Sequence, residues 1–524
     1  MNTPDMNSAS DFATHPSFES VCETARQAML FHSAADALEW DERTGMPTAG
    51  GAYRAKQVSL LRSSAHRLRT GADYGDSLNE LAGKIADVDI DPHDDVAATV
   101  RELHRDFQRD RKLPLELVSR VSLATVRGQQ QWDSARKNDS FAEFRDALSE
   151  IVSLKQETGS RMAEDSEKSS YEALVDEYEP DASVKHLNGV FGDLKIRLTN
   201  LIGRIGNASR KPNVELLRQT FDLDKQRSFS RQVAQAVGFD FSRGRLDETS
   251  HPFCTTLGPN DCRILSRYES NWFPSGLYGT LHEAGHGMYE QGMRREWFGL
   301  PPGSYVSLGM HESQSRLWEN QVGRSRSFWK WLQPHAEAAF PDQFAGRSLD
   351  EIYFAINQVS PSLIRVEADE ATYNLHILIR FELEQALIDG RLSVDDLPDA
   401  WNHEYETCLG IKPPSDADGV LQDVHWSAGL FGYFPTYTLG TMAAAQLFAS
   451  AVEAMGGAEA AEAQFAQGEF LELRRWLRER VHKMGSLLTP GDLIAQATGR
   501  PLAADDLMAH IADTIAAVYG DDLA

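Results

Sequence analysis

Apolar residues recur at steps of three and four along much of the chain, and this period indicates a protein built mainly from helices. In the stretch 183–207 they would form one buried stripe along an amphipathic helix. The residues of that stripe are Leu187, Val190, Phe191, Leu194, Leu198, Leu201, Ile202 and Ile205. The stretches 364–388 and 458–484 are also interpreted as long helices. We interpret the many charged residues before position 240 as solvated helix faces.

Length, charge and the N-terminus exclude several classes of protein. The chain has 524 residues, 41% of them hydrophobic, which is enough for two or three core-sized units or one large fold. Its net charge of −26 would repel nucleic acid and anionic lipid, so neither is expected as a partner. No apolar run approaches the roughly 20 residues that span a membrane, and the N-terminus does not resemble a signal peptide. We therefore expect a soluble, cytoplasmic protein.

One short stretch departs from the helical pattern. Residues 251–268 contain two extended-looking runs around the turn sequence GPND, which is typical of a hairpin. This predicts one small sheet in an otherwise helical protein, about 15 residues before a histidine-rich segment. The chain's four cysteines form no C-x-x-C pair, and a chain of this size needs no disulfides.

The histidine-rich segment is HEAGH, in which His282 and His286 stand four residues apart with Glu283 between them. On a helix, positions i and i+4 share a face and lie about 6 Å apart along the axis, so both imidazoles can meet one metal ion. Glu283 lies about 100° further round the helix, where it can reach a water on that ion as a general base. The motif is short enough to arise by chance, but the small residues Ala284 and Gly285 around it favour close packing.

A catalytic zinc also needs a third protein ligand. Glu290 continues the i, i+4 series, but three such positions span about 12 Å of helix and cannot converge on one ion. The segment 307–325 could form a second helix capped by Ser307, and it offers Glu312 and its neighbour His311 as ligands. The remaining alternatives are Glu319 and Glu296.

Several segments together resemble the carboxypeptidase Taq type of metallocarboxypeptidase. The resemblance covers nearly the whole chain, including the stretch 38–57, which is similar to the family's opening helix pair. The matching motifs are HPF (251–253), DCRIL (261–265), HEAGH (282–286), HESQSRLWEN (311–320), IRVEAD (364–369) and GVLQDVHWSAGLFGYFPTYTLG (419–440). The family pattern D-x-R-x-T ends in threonine, whereas this chain has Leu265, so any role of that threonine is not carried over.

The resemblance implies a mostly α-helical fold like that of neurolysin and angiotensin-converting enzyme, with a deep groove and a small β-sheet near the zinc site. It implies one metallocarboxypeptidase domain over residues 1–524, with helical halves at about 1–240 and 241–524, and a homodimer. It implies one Zn²⁺ per chain, with Co²⁺ as a substitute, held by His282, His286 and Glu312. Glu283 would then activate the zinc-bound water.

The reaction also needs groups that stabilise the oxyanion formed during peptide hydrolysis. Similar peptidases on this fold use a histidine and a tyrosine, and the segment 425–437 offers His425, Tyr437 and Tyr433. We expect His425 and Tyr437 to fill these roles, with Tyr433 as the alternative. Each tyrosine could instead be a core aromatic residue with a satisfied hydroxyl.

An exopeptidase must bind the free carboxylate of its substrate, for which a planar guanidinium is well suited. Arg365 and Arg263 lie in the matching motifs, and His251 could line the same pocket. Either arginine could instead form a structural ion pair, with Asp369, Glu367 or Asp261.

Three hypotheses therefore remain open from the sequence. The first is a zinc carboxypeptidase, for which the resemblance implies release of single C-terminal residues from peptides with a free C-terminus and a broad specificity that excludes proline. The second is a zinc endo-oligopeptidase on the same fold, which needs no carboxylate-binding arginine. The third is a non-catalytic peptide-binding protein with a structural zinc, although such zinc is normally held by four protein ligands.

Overall fold

The computed structural model describes residues 8–164, 166–206, 208 and 210–520. It confirms the mostly helical fold with one small sheet. Ten α-helices precede the sheet: α1 (Ala9–Ala13), α2 (Pro16–Thr44), α3 (Gly51–Arg69), α4 (Ala72–Ala86), α5 (Asp95–Arg111), α6 (Leu115–Lys137), α7 (Ala142–Ala163), α8 (Ser170–Val175), α9 (Val184–Ile205) and α10 (Leu223–Val237).

Twelve further α-helices follow the sheet within the described ranges. They are α11 (Phe273–Gly292), α12 (Leu308–Arg316), α13 (Arg326–Ala339), α14 (Pro341–Phe344), α15 (Leu349–Ile356), α16 (Glu370–Ile388), α17 (Leu397–Leu409), α18 (Pro435–Ala454), α19 (Ala458–Phe465), α20 (Leu471–Arg480), α21 (Pro490–Thr498) and α22 (Asp505–Tyr519). In the part of the chain that the structure describes, no helix is both long enough and apolar enough to cross a membrane.

The helix predicted in the stretch 183–207 is confirmed as α9. Ser183 caps its first turn by accepting a hydrogen bond from the backbone N–H of His186. Seven of the eight apolar residues of the predicted stripe are buried, and Val190 is partly buried against the same core. The apolar period therefore identified both the helix and the face that it buries.

The helix predicted over 364–388 begins later than expected, at Glu370. Asp369 is its N-cap and accepts hydrogen bonds from the backbone N–H groups of Ala371 and Thr372. The preceding residues Arg365–Glu367 form a separate 3₁₀ turn. An aspartate at the N-cap, just before the first helical residue, is a stronger boundary signal than the apolar period, which continues across it.

The single long helix predicted over 458–484 is wrong. The segment forms α19, α20 and a short 3₁₀ turn at His482–Met484. The first break contains Gly468, whose φ of +79° lies in the left-handed region and ends the helical path. The apolar residues keep a helical period on both sides of this break because both helices pack on the same core.

The predicted hairpin is confirmed, and it belongs to a three-stranded sheet. Strands β2 (Phe253–Gly258) and β3 (Asp261–Ser266) pair antiparallel, and β1 (Gly244–Glu248) pairs parallel to the other edge of β3. The sequence analysis did not identify β1. The Cys262 thiol lies 3.8 Å from the backbone oxygen of Gly287 in α11, so the sheet packs directly on that helix.

Three clusters of buried apolar side chains form the core of the described residues. One cluster includes residues of α11 and α12, and another includes residues of α9, α16 and α18, with Tyr437 packed against it. Both combine residues from before and after position 240, and the division into two halves there stays a prediction.

One buried carboxyl group lies within the cluster that contains α9. Glu384 of α16 accepts hydrogen bonds from Tyr171 Oη at 2.6 Å and from Trp426 Nε1 at 3.3 Å. Burial raises the pKa of Glu384 to about 8, against the opposing effect of these hydrogen bonds. This side chain is therefore a structural element of the core that is neutral at pH 7.

Candidate metal centre

The helix α11 presents His282, Glu283 and His286 to the interior of the molecule. Pro274 lies at its first turn, where the missing N–H costs nothing, and the histidines follow about two turns later. A Cβ on Gly285 would overlap the carbonyl oxygen of Gln314 and would lie 2.7 Å from Ser315 Cα. The absence of a side chain at Gly285 therefore lets α12 cross α11 at backbone contact.

The helix α12 supplies Glu312. It begins as predicted at Ser307, whose hydroxyl accepts a hydrogen bond from Met310 N at 3.0 Å. On its other side α12 packs against α18, where a Cβ on Gly440 would be 2.6 Å from Glu312 Cβ. The helix α12 is thus held between α11 and α18, and both helices approach it at glycines.

The side chains of His282, His286 and Glu312 converge on one point. Each offers one ligand atom, and these atoms lie within 4.8 Å of one another. Glu312 Oε2 is 3.6 Å from His282 Nε2 and 3.5 Å from His286 Nε2. Donor atoms at bond lengths of about 2.0–2.1 Å from a tetrahedral ion lie about 3.3 Å apart, so this set fits a zinc-sized ion.

The other nitrogen of each histidine has a fixed partner. His282 Nδ1 lies 2.9 Å from Glu319 Oε2, and His286 Nδ1 lies 2.9 Å from the backbone oxygen of His311. Because a carbonyl or carboxylate oxygen accepts from Nδ1–H, both rings keep Nε2 free as a ligand atom. Burial alone would raise the pKa of Glu319, but Arg316 and the hydrogen bond with His282 lower it to about 2.

The structure separates the alternatives for the third ligand that the sequence left open. Glu319 contacts the outer nitrogen of His282. His311 stacks on His286 at 4.4 Å between ring centres and points its Nε2 at Glu290 Oε1, 3.0 Å away. Glu296 is exposed in a short 3₁₀ turn. Only Glu312 among these four joins the two histidines in the group of close donor atoms, within the described residues.

Glu283 is buried beside this group, with 5% of its surface exposed. Burial raises the pKa of Glu283 to about 7, with a smaller opposing effect from His282. Its Oε2 atom has no hydrogen-bond partner among the described residues. A carboxyl group with a free oxygen and a pKa near neutrality can take a proton from water and return it.

His425, Tyr433 and Tyr437 form an aromatic group next to Glu312. His425 Nε2 lies 3.2 Å from the Tyr437 hydroxyl, and the rings of Tyr433 and Tyr437 are 5.5 Å apart. Tyr437 stands three residues before Gly440 on α18, so it lies on the helix face that packs against Glu312. Burial lowers the pKa of His425 to about 3 and raises that of Tyr437 well above its usual value, so both are neutral at pH 7.

Arg365 belongs to the same group of side chains. It is buried, it donates from Nε to Asp423 Oδ1 at 2.9 Å, and its guanidinium lies 5.2 Å from the centre of the Tyr437 ring. Asp423 also accepts from Arg380 Nε at 2.6 Å. The ion-pair partner of Arg365 is therefore Asp423, and Asp369, one of the expected partners, caps α16.

The contacts of Arg263 and His251 do not join them to the metal-ligand group. Arg263 donates from Nε and Nη2 to the two oxygens of Asp261, both at 2.9 Å, and stacks over the Trp40 ring at 4.3 Å. Its side chain leaves the opposite face of β3 from Cys262, which contacts α11. His251 is exposed in the connection between β1 and β2.

Sequence analysis missed Arg316 and Tyr373. Arg316 Nε donates to Glu312 Oε1 at 2.7 Å, and its guanidinium lies 4.0 Å from the centre of the Tyr373 ring. Tyr373 Oη in turn accepts from Arg365 Nη1 at 3.2 Å, which links the carboxylate of Glu312 to Arg365. The sequence contains a signal that could have identified Arg316. It stands four residues after Glu312 and three before Glu319, and a buried carboxylate needs a cation beside it.

Comparisons with known proteins agree with one another. A family model described as carboxypeptidase Taq (M32) metallopeptidase matches residues 20–515. Thermostable carboxypeptidase 1 of Thermus thermophilus is 40% identical over 510 residues, which is 96% of this chain and 99% of the relative. Carboxypeptidase 1 of Bacillus subtilis is 35% identical over 93% of this chain and 96% of its own. The crystal structure of an M32 carboxypeptidase from Deinococcus radiodurans superposes with a TM-score of 0.91 at 38% identity, covering 97% of this chain and 100% of the other.

Proposed function

The chain belongs to the carboxypeptidase Taq (M32) family of metallocarboxypeptidases. We propose that it releases single C-terminal residues from peptides in a zinc-dependent reaction, with broad specificity that excludes proline. The observation that carries this proposal is the convergence of His282 Nε2, His286 Nε2 and Glu312 Oε2 beside the unpartnered oxygen of Glu283. Two imidazoles and one carboxylate are the ligand set of several catalytic zinc sites, which keep a further position open for water or substrate.

His282, His286 and Glu312 would hold the metal, with Co²⁺ as a substitute for Zn²⁺. The bound metal would supply Lewis acidity, polarising the scissile carbonyl and making water more acidic. Arg316 supports this role of Glu312 by neutralising its other oxygen, Oε1, at 2.7 Å, so that Oε2 remains directed at the histidines.

Glu283 acts as the general base. Its free carboxylate oxygen takes a proton from the attacking water and later delivers it to the amine of the departing residue. Burial raises the pKa of Glu283 to about 7 without a bound metal, and a cation at the neighbouring histidines would lower it, so that the carboxylate is available as a base at neutral pH.

Tyr437 and His425 stabilise the developing charge on the carbonyl oxygen. The protonated Tyr437 hydroxyl can donate a hydrogen bond to that oxygen, and neutral His425, 3.2 Å from the hydroxyl, orients it or donates a second bond. Tyr433 is the alternative donor, since its ring contacts both Tyr437 and His425.

Arg365 binds the terminal carboxylate of the substrate. Its guanidinium lies among Tyr373, Tyr437 and Asp423, close to the proposed oxyanion donors. Asp423 holds the guanidinium of Arg365 in position and also pairs with Arg380. One carboxylate therefore faces two guanidinium groups, which leaves net positive charge for an incoming carboxylate. Arg263 is the second candidate, because it stacks over Trp40 on the face of β3 opposite Cys262 and so points away from α11. His251 is the third candidate.

N-blocked peptides with free or amidated C-termini test the proposed function, assayed with and without added zinc. We expect release of single residues from free-ended peptides only. Arg365→Lys keeps the charge but loses the two parallel N–H donors of the guanidinium. On free-ended peptides it should lower kcat/KM by a factor that corresponds to roughly 1–3 kcal/mol of lost transition-state stabilisation. Arg263→Lys is the matched control and should change it little. Equal cleavage of amidated peptides by the unmutated protein would favour an endo-oligopeptidase.

We also propose that the protein is a homodimer in the cytoplasm. Both statements rest on the sequence and on its family, and sedimentation at micromolar concentration tests the first. A mass near twice that of one chain of 58.4 kDa is expected, and a clean monomer would contradict it.

A further inference from the structure

Two of the four cysteines face each other across the small sheet. In the register of β2 and β3, Cys254 pairs with Ile264 and Thr256 pairs with Cys262, so the two cysteines are diagonal neighbours on one face. Their Sγ atoms lie 3.8 Å apart. Cys254 is half-buried and Cys262 is buried, whereas Cys22 and Cys408 lie elsewhere in the core.

This thiol pair touches the helix that carries the proposed metal ligands. Cys262 Sγ lies 3.8 Å from the backbone oxygen of Gly287, the residue that follows His286. Gly287 itself is packed so closely that a Cβ there would lie 3.0 Å from Ile264 Cγ2, on the same strand as Cys262. A change in the position of Cys262 is therefore transmitted directly to the backbone of α11.

We propose that Cys254 and Cys262 form a reversible redox site that closes to an intramolecular disulfide in the presence of a peroxide and thereby lowers the activity of the enzyme. A peroxide oxidises the more accessible Cys254 thiol to a sulfenic acid and is itself reduced, with loss of one water or alcohol. The Cys262 sulfur then attacks the sulfenic sulfur, the S–S bond forms and water leaves. Two thiols lose two hydrogens in total, and the peroxide supplies the oxidising equivalent.

Geometry makes this disulfide reversible. The sulfur atoms must close from 3.8 Å to about 2.05 Å, and diagonal positions on a sheet do not offer the relaxed geometry of a structural bridge. A strained bridge has a more oxidising potential and is reduced more readily by small thiols. Closing it requires at least one sulfur atom to move, and a movement of Cys262 would alter its contact with Gly287 in α11.

Chemistry makes the site slow to oxidise without a strong oxidant. The hydrogen bond with Cys262, burial, and the negative charges of Glu290 and Glu283 all raise the pKa of the Cys254 thiol. The thiolate is the reactive form, so little of it is present at neutral pH. We therefore expect the pair to stay reduced in air and to need a peroxide for oxidation.

Mass spectrometry of the metal-loaded enzyme tests this directly. After hydrogen peroxide treatment, the intact chain should lose about 2 Da, and digestion should yield one cross-linked peptide containing both cysteines. Activity should fall several-fold with no loss of metal, and both mass and activity should recover with dithiothreitol. Three outcomes would each overturn the proposal. They are thiols that are still reduced when the peroxide has been consumed, a gain in mass from sulfinic acid, and a disulfide between two chains.

Matched variants separate this pair from the other thiols. Cys254→Ser should abolish the mass loss and protect activity, and Cys262→Ala should do the same with a smaller side chain in the buried position. Cys22→Ser and Cys408→Ser should leave the response unchanged. Loss of the response in either of these two variants, or its persistence in Cys254→Ser, would refute the assignment. The mass readout does not depend on the proposed peptidase mechanism, so the two proposals fail separately.

Discussion

Glu319→Gln should weaken metal binding without abolishing it. In the structure Glu319 Oε2 accepts from His282 Nδ1 at 2.9 Å and from Arg316 Nη1 at 3.3 Å, while Oε1 accepts from Arg324 Nη2 at 3.4 Å. Since its pKa is lowered to about 2, Glu319 is ionised at all working pH values. Glutamine keeps the shape and an acceptor oxygen but removes the charge that makes His282 a stronger ligand.

The size of the effect follows from that one hydrogen bond. A hydrogen bond to a charged group contributes about 1.5–3 kcal/mol and one between neutral groups about 0.5–1.5 kcal/mol, so the loss is about 1–1.5 kcal/mol. The ring of His282 can also turn once its partner weakens. A loss of about 1–1.5 kcal/mol raises Kd roughly 5-fold to 13-fold, near the lower end of the roughly 10-fold to 100-fold loss of metal affinity that follows the removal of such outer partners.

Glu290→Gln is the matched control for this measurement. Glu290 and Glu319 have the same side-chain exposure of 14%, and Glu290 Oε1 contacts His311 Nε2 at 3.0 Å much as Glu319 contacts His282. His311, however, is not in the group of converging ligand atoms. The metal-free proteins would be titrated with zinc against a fluorescent chelator, and the melting temperature of each would be recorded. Equal weakening in both variants, or a Kd for Glu319→Gln within twofold of the unmutated protein, would refute the reasoning.

Three further predictions concern other carboxyl groups. Glu283→Gln should keep the metal and lose at least about 10³-fold in kcat; metal loss measured together with activity loss would make Glu283 structural instead. Glu312→Ala should lose the metal in elemental analysis while Glu290→Ala keeps it, and full occupancy in Glu312→Ala would remove this ligand assignment. The raised pKa of Glu384 means that the folded state holds a proton that the unfolded state releases, so its contribution to stability is complete below about pH 4.5 and is lost as pH rises to about 8. The melting temperature of Glu384→Gln relative to the unmutated protein should therefore increase across that window, and parallel pH profiles would contradict this.

Local spacing predicted the parts of the site that depend on one helix at a time. The i, i+4 relation between His282 and His286 and the serine cap before Glu312 are both present in the structure. The same spacing could not assign the outer partners, because which oxygen reaches His282 depends on how α11 and α12 cross. That crossing depends on the backbone contact at Gly285, which the spacing of apolar residues does not predict.

Pairing between distant segments was the other part that the sequence did not reveal. Arg365 pairs with Asp423, which lies 58 residues later, whereas the sequence suggested acidic residues close to it in the chain. Strand β1 has a mixed composition and is defined by its parallel pairing with β3. The breaks before α16 and between α19 and α20 were missed because the apolar period continues through them, although a capping aspartate and a glycine mark both places.

The close helix crossings at Gly285 and Gly440 have a consequence for engineering this protein. Replacing a helical glycine by alanine is a standard route to thermostability, with an expected gain of about 1 kcal/mol from backbone propensity. At Gly440 the added methyl group would lie 2.6 Å from Glu312 Cβ, and at Gly285 it would overlap the backbone of α12. Because these contacts are too short to be relieved without moving a helix, both alanine variants should lose stability and displace Glu312, and the expected gain should not appear. Screens for stable versions of this enzyme should hold both positions fixed and draw their glycine replacements from helix surfaces such as Gly83 or Gly192, where a methyl group meets no atom within 4 Å.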